Sequence, residues 1–416
     1  MNESTSPNYL YVTDCFPTDF EETTQDLQTL GLRRLGRARN GKLKVPYSLR
    51  RTLGETTQSL GHNQTISLLA NKSSFGCPDS ISQLFSSLRL DGHKLALVYQ
   101  ASGYAGSPDI LDLARENGFF LGNCPDITTQ EVAKNLMPLM HEIFSGTSIK
   151  QGSACQIFRQ LSYLEKWKKD WTAGLPSEAL QAALKKPLPK NCFDGKVFVV
   201  VGSARPRTFG AHLAKEIEAL GGTVEFYSVW GSYRDAGKKV LLEKLPEADA
   251  VLLATQLTDD TLRLVDDEFL NRMKQDAILA SVARGPMVIE HYLEHYAKKL
   301  RFIIDVARSE PLTETSYRIF ENVLNDSPDS VVTAHSLHLS EDTVKTLSLQ
   351  SYCLLAIANG IDKETFLKKL GLEPSQNCPY NGRVSIPSLG WVTHEFLEEG
   401  WSLVPSQDEP NIFVAA

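Results

Sequence analysis

The sequence predicts an α/β protein built on parallel sheets, and three observations support this. Between residues 248 and 311, the short apolar runs AVLLAT, AILASV and FIIDV alternate with polar segments of helical spacing. That alternation is typical of the strand, helix, strand units of a parallel sheet. A fresh apolar run, 192–202, follows the lysine- and proline-containing segment 184–191, which predicts a domain boundary. Apolar runs at 65–70 and 94–100 predict a separate α/β layer before that boundary.

Each element is predicted from its local pattern. Short runs rich in apolar and β-branched residues predict strands, whereas apolar residues that recur every three or four positions predict helices. The predicted strands are 8–14, 65–70, 94–100, 192–202 and 223–229, followed by the three runs above and by SVVTAH at 330–335. The predicted helices are 131–144, 156–171 and 343–361.

The composition predicts a globular protein of two or three domains. The 416 residues are 42% hydrophobic and 22% charged, which allows sizeable cores and excludes a disordered chain. No basic leader precedes an apolar stretch, and no apolar run reaches the roughly 18 residues of a membrane span. We therefore expect a cytoplasmic protein without a membrane partner. Seven scattered cysteines without a C-x-x-C pair predict reduced thiols rather than disulfides or a metal site.

The charge distribution argues against a nucleic-acid partner. The formal net charge is −7, whereas domains that bind nucleic acid in general are basic. The stretch 31–51 is a local exception, with eight Lys or Arg residues and no acid. Two interpretations of this stretch remain open, an anion-attracting patch or a solvated surface of the first domain.

An arginine, a carboxylate and a histidine are predicted to meet at one edge of the second sheet. Arg284 and Glu310 each follow a predicted strand, and His335 ends a third strand 25 residues after Glu310. Open α/β sheets bind ligands at the carboxyl ends of their strands. These three residues are therefore the main candidate site. His338 is a weaker candidate for proton transfer at the same edge.

Several motifs, taken in order along the chain, resemble one family. The segment 248–261 is similar to an AD, hydrophobic run, LT-x-x-T pattern, and ARG follows at 283–285. Residues 305–312 resemble DV-x-x-x-EPL, residues 333–335 resemble TPH with alanine for proline, and 123–134 resemble N-x-PG-x-NT-x-x-VAE. In this order the motifs resemble those of the D-isomer-specific 2-hydroxyacid dehydrogenases. Only the two ends of the chain fall outside the resemblance.

The resemblance implies two Rossmann-like doubly wound domains. A discontinuous substrate domain would comprise 1–185 with 340–416, and a central dinucleotide-binding domain would comprise 190–338. The helix predicted at 343–361 would return the chain to the first domain. The resemblance also implies a homodimer formed through the dinucleotide-binding domain. Residues 362–416 exceed the usual family length, and their role is not predicted.

The chemistry of 2-keto acid reduction gives each of the three candidate residues a role, and the roles match those of the family. A histidine can deliver a proton near neutral pH, and an adjacent carboxylate stabilises its charged form. An arginine binds a carboxylate through two parallel hydrogen bonds. His335 would thus be the general acid/base, Glu310 its partner and Arg284 the substrate clamp, while a nicotinamide supplies the hydride. Taken singly, each residue also has a structural alternative, as a pairing cation, a loop acid or a strand-end histidine.

The glycine loop that would bind the cofactor departs from the family pattern. Eight positions separate Gly202, which ends a strand, from Gly210, which opens the next helix, so the loop is three residues longer than the family's. Arg205 and Arg207 lie within it. Either they contact phosphate oxygens, or they are solvated cations in a protein that binds dinucleotide weakly. Asp305 completes the predicted cofactor-binding residues.

The end of the second strand favours NADP over NAD. The acidic residue that would bind the adenine ribose of NAD is replaced by Ser228. Loss of that carboxylate removes its repulsion of a 2′-phosphate, and Arg234 follows six residues later. In the alternative interpretation, Ser228 is an ordinary strand-end residue and Arg234 is a surface charge.

Two classes of function follow from these motifs. In the first, the protein interconverts a small 2-keto acid, of the glyoxylate or hydroxypyruvate type, and its D-2-hydroxy acid. The loop 103–112 would then bind the substrate carboxylate, with either Gly103 or Gly106 as the close-approach glycine. In the second, the protein is a non-enzymatic dinucleotide sensor or scaffold, as in transcriptional corepressors that resemble this family. The intact trio favours the enzyme, whereas the altered loop favours the sensor.

Overall fold

The structure, a computed structural model, describes parts of the 416-residue chain. It gives the backbone of 8–12, 32–37, 65–71, 94–100, 120–123, 403–405 and 413–415, and most residues from 125 to 343. Within that last range it leaves out 147–149, 170–177, 205–207, 230–233, 256, 328, 339 and 341–342. The candidate substrate loop with Gly103 and Gly106, the loop residues Arg205 and Arg207, and the helix predicted at 343–361 therefore lie outside the described residues.

The first of two compact units comprises Met1–Thr128 and Asp342–Ala416. Its five-stranded parallel sheet consists of β1 (Asn8–Val12), β2 (Leu32–Arg37), β3 (Thr65–Asn71), β4 (Lys94–Gln100) and β5 (Phe120–Asn123). The strands follow the order β2-β1-β3-β4-β5. That order is typical of a doubly wound sheet, in which the chain starts in the middle and extends to both sides.

The second unit, Thr129–Glu341, contains a six-stranded parallel sheet. Its strands are β6 (Val197–Gly202), β7 (Thr223–Tyr227), β8 (Ala250–Ala254), β9 (Ile278–Ser281), β10 (Arg301–Ile304) and β11 (Val331–Val332). They follow the order β11-β10-β9-β8-β6-β7. The chain leaves β6 for β7 on one side and then returns to β8 on the other, so a topological switch point lies between β6 and β8. An antiparallel pair, β12 (Leu403–Pro405) and β13 (Phe413–Ala415), belongs to the first unit.

Helices surround the six-stranded sheet. They are α1 (Pro125–Phe144), α2 (Ala154–Phe158), α3 (Leu161–Lys169), α4 (Glu178–Leu184), α5 (Phe209–Ala219), α6 (Arg234–Lys244), α7 (Asp267–Arg272), α8 (Glu290–Tyr296) and α9 (Glu314–Asp326). Side-chain caps fix where several of them begin. The side chains of Thr208, Asp266 and Thr313 each accept a hydrogen bond from a backbone N–H in the first turn of α5, α7 and α9.

The sheet of the second unit is buried on both faces, which explains its continuous apolar runs. Alternate residues of each strand point to opposite layers. In β6, Phe198 and Val200 pack in one cluster with α1, α2, α4 and α5, whereas Val199 and Val201 pack in the other with α3 and α6 to α9. A parallel α/β fold was predicted from these runs, and the structure confirms it.

The segment 129–185 packs with the second unit, whereas the family resemblance implied that it belongs to the substrate domain. Its helices supply much of one hydrophobic layer under the six-stranded sheet. Arg159 adds a polar tie, because its guanidinium donates to the carbonyls of Leu324, Ser327 and Ser330 around the end of α9. The predicted linker 184–191 accordingly joins α4 to β6 within one unit. The sequence pattern of amphipathic helices cannot say which of two sheets they cover, and packing decides it.

In the part of the chain that the structure describes, no helix is both long enough and apolar enough to cross a lipid bilayer.

Candidate active site

The three candidate residues lie at the ends of three neighbouring strands. Arg284 follows β9, Glu310 lies in the loop after β10, and His335 follows β11. These strands are adjacent and parallel. Their carboxyl ends meet on one edge of the sheet, and the structure therefore brings all three residues together.

His335 and Glu310 form a direct pair. Nδ1 of His335 lies 2.8 Å from Oε2 of Glu310, and the two side chains are 23% and 12% exposed. Burial lowers the pKa of His335, as does the charge of Arg284. The charge and hydrogen bond of Glu310, with the charge of Asp305, outweigh both, so the pKa is raised above its ordinary value. Since Nδ1 faces the carboxylate, Nε2 is the ring nitrogen that points away from it.

The backbone of His335 adopts a conformation that non-glycine residues rarely occupy. Its φ is 48°, in the left-handed region, which costs on the order of 1 kcal/mol for a residue with a side chain. The backbone N–H of His335 donates to the carbonyl of Thr333 at 3.0 Å. Surrounding contacts must hold this turn in place, and they come from three directions.

The carboxylate of Asp305 accepts hydrogen bonds from the turn that carries His335. Its Oδ1 accepts hydrogen bonds from the Thr333 hydroxyl and from the backbone N–H groups of Ser336 at 2.9 Å and Leu337 at 3.1 Å. Burial raises the pKa of Asp305 to about 6, although the charge of His335 and these hydrogen bonds lower it. The described contacts of Asp305 are therefore with the turn that carries His335. Its predicted contact with the cofactor stays a prediction.

Two helices hold the same turn from its sides. Asn135 on α1 donates from Nδ2 to the carbonyl of Leu337 at 2.8 Å. The hydroxyl of Tyr163 on α3 lies 3.1 Å from the Ser336 hydroxyl. Neither Asn135 nor Tyr163 was predicted from the sequence as a site residue. Asn135 lies 202 positions from its partner, and no local pattern signals such a contact.

The guanidinium of Arg284 is partly buried, and its surroundings affect its pKa. Burial lowers the pKa of its guanidinium, while the negative charge of Glu310 acts in the opposite direction. Its Nη1 donates to the carbonyl of Ala283 at 2.7 Å. A guanidinium stays charged in proteins, and beyond the N–H group that donates to Ala283 it has further N–H donors for a carboxylate.

A close approach of two backbone segments explains why a glycine, Gly285, follows Arg284. A Cβ atom at this position would lie within 1.9 Å of the carbonyl oxygen of Ala307. The backbone after β9 thus passes directly against the loop that carries Glu310. Any side chain at 285 would push Arg284 and Glu310 apart.

His338 lies beside His335 but in a different environment. The two ring centroids are 5.4 Å apart in an edge-to-face arrangement. Burial, followed by the charge of His335, lowers the pKa of His338 to about 3, so this ring stays neutral near neutral pH. The pairing with Glu310 makes His335 the better placed of the two for proton transfer.

The glycine loop after β6 is closed by Thr208. Its hydroxyl donates to the carbonyl of Ser203 at 2.7 Å and accepts from the N–H of Ala211 at 3.3 Å. A Cβ at Gly210 would lie 2.4 Å from the same Ser203 carbonyl, and one at Gly202 would lie 2.6 Å from the Ala254 carbonyl. Both glycines therefore serve close backbone approaches at the switch point. Thr208 was not predicted from the sequence, although a threonine just before a helix is a typical capping signal.

These features fit a bound dinucleotide. The close backbone approach at Gly202, the switch point between β6 and β8 and the N-terminus of α5 form the kind of arrangement that binds a pyrophosphate in doubly wound sheets. The end of β7 fits the ribose position. Ser228 is exposed just past β7, and a Cβ at Gly237 would lie 2.1 Å from its carbonyl oxygen, so α6 approaches the strand end closely. Arg234 is the first residue of α6. Among the described residues, no group of three or more His, Cys, Asp or Glu side chains could bind a metal ion.

Comparison with known proteins gives a family for this arrangement. Residues 156–336 match the model of the D-isomer specific 2-hydroxyacid dehydrogenase, NAD binding domain. This range contains the glycine loop and all three candidate residues. This part of the chain is similar to the dinucleotide-binding domain of the D-isomer-specific 2-hydroxyacid dehydrogenases. The resemblance stated from the motifs is thus confirmed.

Individual relatives in the family are distant. The chain is 26% identical over 199 residues to a glyoxylate reductase of Pyrococcus furiosus, covering 45% of this chain and 52% of the relative. It is 30% identical over 167 residues to a glycerate dehydrogenase of Methylorubrum extorquens, covering 38% and 50%. The chain thus spans about half of the length of these curated relatives.

Solved structures in the family share the fold. The NADPH-dependent glyoxylate/hydroxypyruvate reductase of Sinorhizobium meliloti is 16% identical, with a TM-score of 0.54, and the match covers 84% of this chain and 94% of that one. The D-isomer specific 2-hydroxyacid dehydrogenase of Lactobacillus delbrueckii has the same TM-score at 16% identity. The α/β, doubly wound, Rossmann-type architecture predicted from the sequence is confirmed by these matches.

Proposed function

We propose that this protein is a reductase that uses a nicotinamide dinucleotide to interconvert a small 2-keto acid and its D-2-hydroxy acid. The observation that carries the proposal is the 2.8 Å contact between His335 Nδ1 and Glu310 Oε2, at the strand edge that also carries Arg284. A histidine paired with a carboxylate and placed beside an arginine suits proton transfer to a carbonyl whose neighbouring carboxylate is bound.

The proposed proton transfer uses Nε2 of His335. Nδ1 donates to Glu310 and keeps the ring in one orientation, so the proton on Nε2 is the one delivered to the carbonyl oxygen. Glu310 stabilises the charged imidazolium before transfer. In the reverse direction, neutral His335 accepts the proton of the substrate hydroxyl at the same atom.

Arg284 would bind the substrate carboxylate. Its guanidinium is charged, partly buried and next to the His335–Glu310 pair. Two parallel hydrogen bonds to a carboxylate would fix the keto group relative to His335. The backbone loop containing Gly103 or Gly106 stays the predicted second contact of that carboxylate.

The cofactor would lie at the carboxyl end of β6, and a reduced nicotinamide supplies hydride when bound there. Gly202, Gly210 and the N-terminus of α5 would hold its pyrophosphate, and Arg205 and Arg207 would supplement these contacts. The lack of a carboxylate at Ser228 supports NADP over NAD, with Arg234 as the partner of the 2′-phosphate. The names of the relatives support glyoxylate or hydroxypyruvate as the first substrates to test.

A substrate panel tests the proposal directly. The purified protein is assayed at 340 nm with NADPH and with NADH against glyoxylate, hydroxypyruvate and larger 2-keto acids. His335→Gln should reduce the maximal rate by roughly 10²–10⁴-fold, the usual scale for loss of a general acid/base. Its affinity for the dinucleotide, measured by cofactor fluorescence, should stay nearly unchanged.

The sensor alternative makes a different prediction in the same assay. A dinucleotide-sensing scaffold would bind NADPH or NADH but reduce none of the 2-keto acids. Failure of both cofactors to bind at millimolar concentration would contradict the enzyme and the sensor alike. The predicted homodimer is tested separately by sedimentation velocity.

A further inference from the structure

Glu290 is a buried carboxylate that reaches out of its own helix. It is the first residue of α8 and is 9% exposed. Its Oε1 accepts a hydrogen bond from the backbone N–H of Arg308 at 2.6 Å, and its Oε2 accepts from the Ser316 hydroxyl at 2.6 Å. A buried charge is retained at low cost only when its oxygens are satisfied in this way. Both described hydrogen bonds of the Glu290 carboxylate are thus with residues outside α8.

The segment that Glu290 holds is the turn 307–310, which ends in Glu310. Within this turn, the N–H of Ala307 donates to Oε1 of Glu310 at 3.0 Å. The other oxygen of Glu310 then faces His335. The orientation of the Glu310 carboxylate therefore depends on where the backbone of Ala307 and Arg308 lies.

Two independent contacts fix the peptide between Ala307 and Arg308. Its carbonyl side lies against Gly285, where even a methyl group would collide. The N–H of Arg308 is held by Glu290. Steric contact on one side and a charge-assisted hydrogen bond on the other leave this peptide one position.

We propose that Glu290 is a positioning residue, which fixes the turn 307–310 through the Arg308 N–H and thereby holds Glu310 against His335. This inference rests on the proposed function only for its kinetic consequence. The structural consequence, the pairing of Glu310 with His335, can be measured whether or not the protein is a reductase.

The effect of Glu290 is geometric. Among the described residues, Glu310, Asp305, Arg284 and His338 are charged or titratable groups that act on or pack against His335. The described contacts connect Glu290 to His335 through the turn that Glu290 holds. Moving the Glu290 carboxylate away from the Arg308 N–H should therefore weaken the pairing of Glu310 with His335. Removing its charge while keeping the hydrogen bond should not.

Three substitutions at one position separate geometry from charge. Glu290→Gln keeps an oxygen for the Arg308 N–H and offers its amide N–H to the Ser316 hydroxyl, so the turn should be kept. Glu290→Asp keeps the charge but withdraws it by one methylene. Glu290→Ala removes the contact. Asp249→Ala is the matched control, because Asp249 is also a buried carboxylate that holds a backbone N–H, that of Val197 at 2.8 Å, but at the opposite end of the strands.

The primary measurement is an NMR titration of the His335 imidazole in the full-length protein, assigned with His335→Gln. We expect Glu290→Asp and Glu290→Ala to move the His335 titration to lower pH by roughly half a unit or more, because pairing with a carboxylate raises it. Glu290→Gln and Asp249→Ala should leave it in place. In an active enzyme, the pH dependence of kcat/KM for 2-keto acid reduction should move in parallel.

The outcomes are distinguishable. If folded Glu290→Asp and Glu290→Ala titrate as the wild type does, the positioning role is wrong. A shift in Glu290→Gln with none in Glu290→Asp would assign the effect to charge and would also overturn the positioning role. If Glu290→Ala does not fold, the comparison of the aspartate and glutamine variants still decides. A wild type that reduces no 2-keto acid contradicts the proposed function but leaves the NMR result standing.

Discussion

At His335, burial lowers the pKa of the imidazole and pairing with Glu310 raises it, and the effect of pairing is the larger. Because its pKa is raised above the ordinary value, the folded state binds this proton more tightly than the unfolded state does. The resulting stability is fully present below the unfolded pKa and is lost as the pH rises through the folded pKa. The proposed reduction needs the protonated ring, so kcat/KM should fall over the same upper pH range.

Glu310→Gln tests this pairing. The variant keeps a side chain of similar size but removes the charge that raises the pKa of His335. We expect the alkaline limb of the kcat/KM profile to move to lower pH by about one unit, on the scale of one close opposite charge. An unmoved limb, measured with the same substrate and cofactor, would show that another group controls the profile.

Asp305 gives a signature of the same sign at lower pH. Its pKa is raised from an ordinary value of 3.8 to about 6, so the folded state prefers the protonated carboxyl. That preference adds stability below the unfolded pKa, and the stability is lost as the pH rises to the folded pKa. The loss is on the order of 3 kcal/mol between about pH 4 and pH 6. Asp305→Asn cannot titrate, and urea unfolding at a series of pH values should show this part of the decline disappear.

At the scale of elements, the start of α5 is where the altered glycine loop is anchored. Thr208→Ala removes both the cap to Ala211 and the contact with the Ser203 carbonyl. We expect about 1 kcal/mol less stability, the usual scale for a lost cap, and weaker binding of NADPH and NADH by similar factors. Fluorescence titration measures the affinities.

Thr208→Ser is the matched control for that prediction. It keeps the hydroxyl and loses only a methyl group, so both stability and cofactor affinity should stay near the wild type. If Thr208→Ala binds both dinucleotides as tightly as Thr208→Ser, the loop does not depend on this anchor.

At the scale of the whole molecule, cofactor binding should appear as stabilisation. A ligand that binds only the folded state at 100 times its Kd adds about 2.7 kcal/mol. We expect NADPH to raise the melting temperature more than NADH at equal concentration. In Ser228→Asp the order should reverse, because the new carboxylate repels a 2′-phosphate and can bind a ribose hydroxyl. A wild type stabilised more strongly by NADH would contradict the predicted preference for NADP.

The sequence alone determined the α/β class, the family resemblance and the strand edge on which Arg284, Glu310 and His335 meet. These depend on local information. Apolar periodicity fixes the strands, short motifs fix their order, and parallel strands bring their carboxyl ends to one edge whatever the helices do.

Only the tertiary structure decided what holds that site in place. Three features join segments that are apart in the chain. They are the packing of 129–185 with the second unit, the hydrogen bonds of Asn135 and Tyr163 to the turn of His335, and the hydrogen bond of Glu290 to the turn of Glu310. A buried hydrogen bond between distant residues leaves no periodic or compositional trace. Its partners are set by how the layers pack, and so they become visible only once the chain is folded.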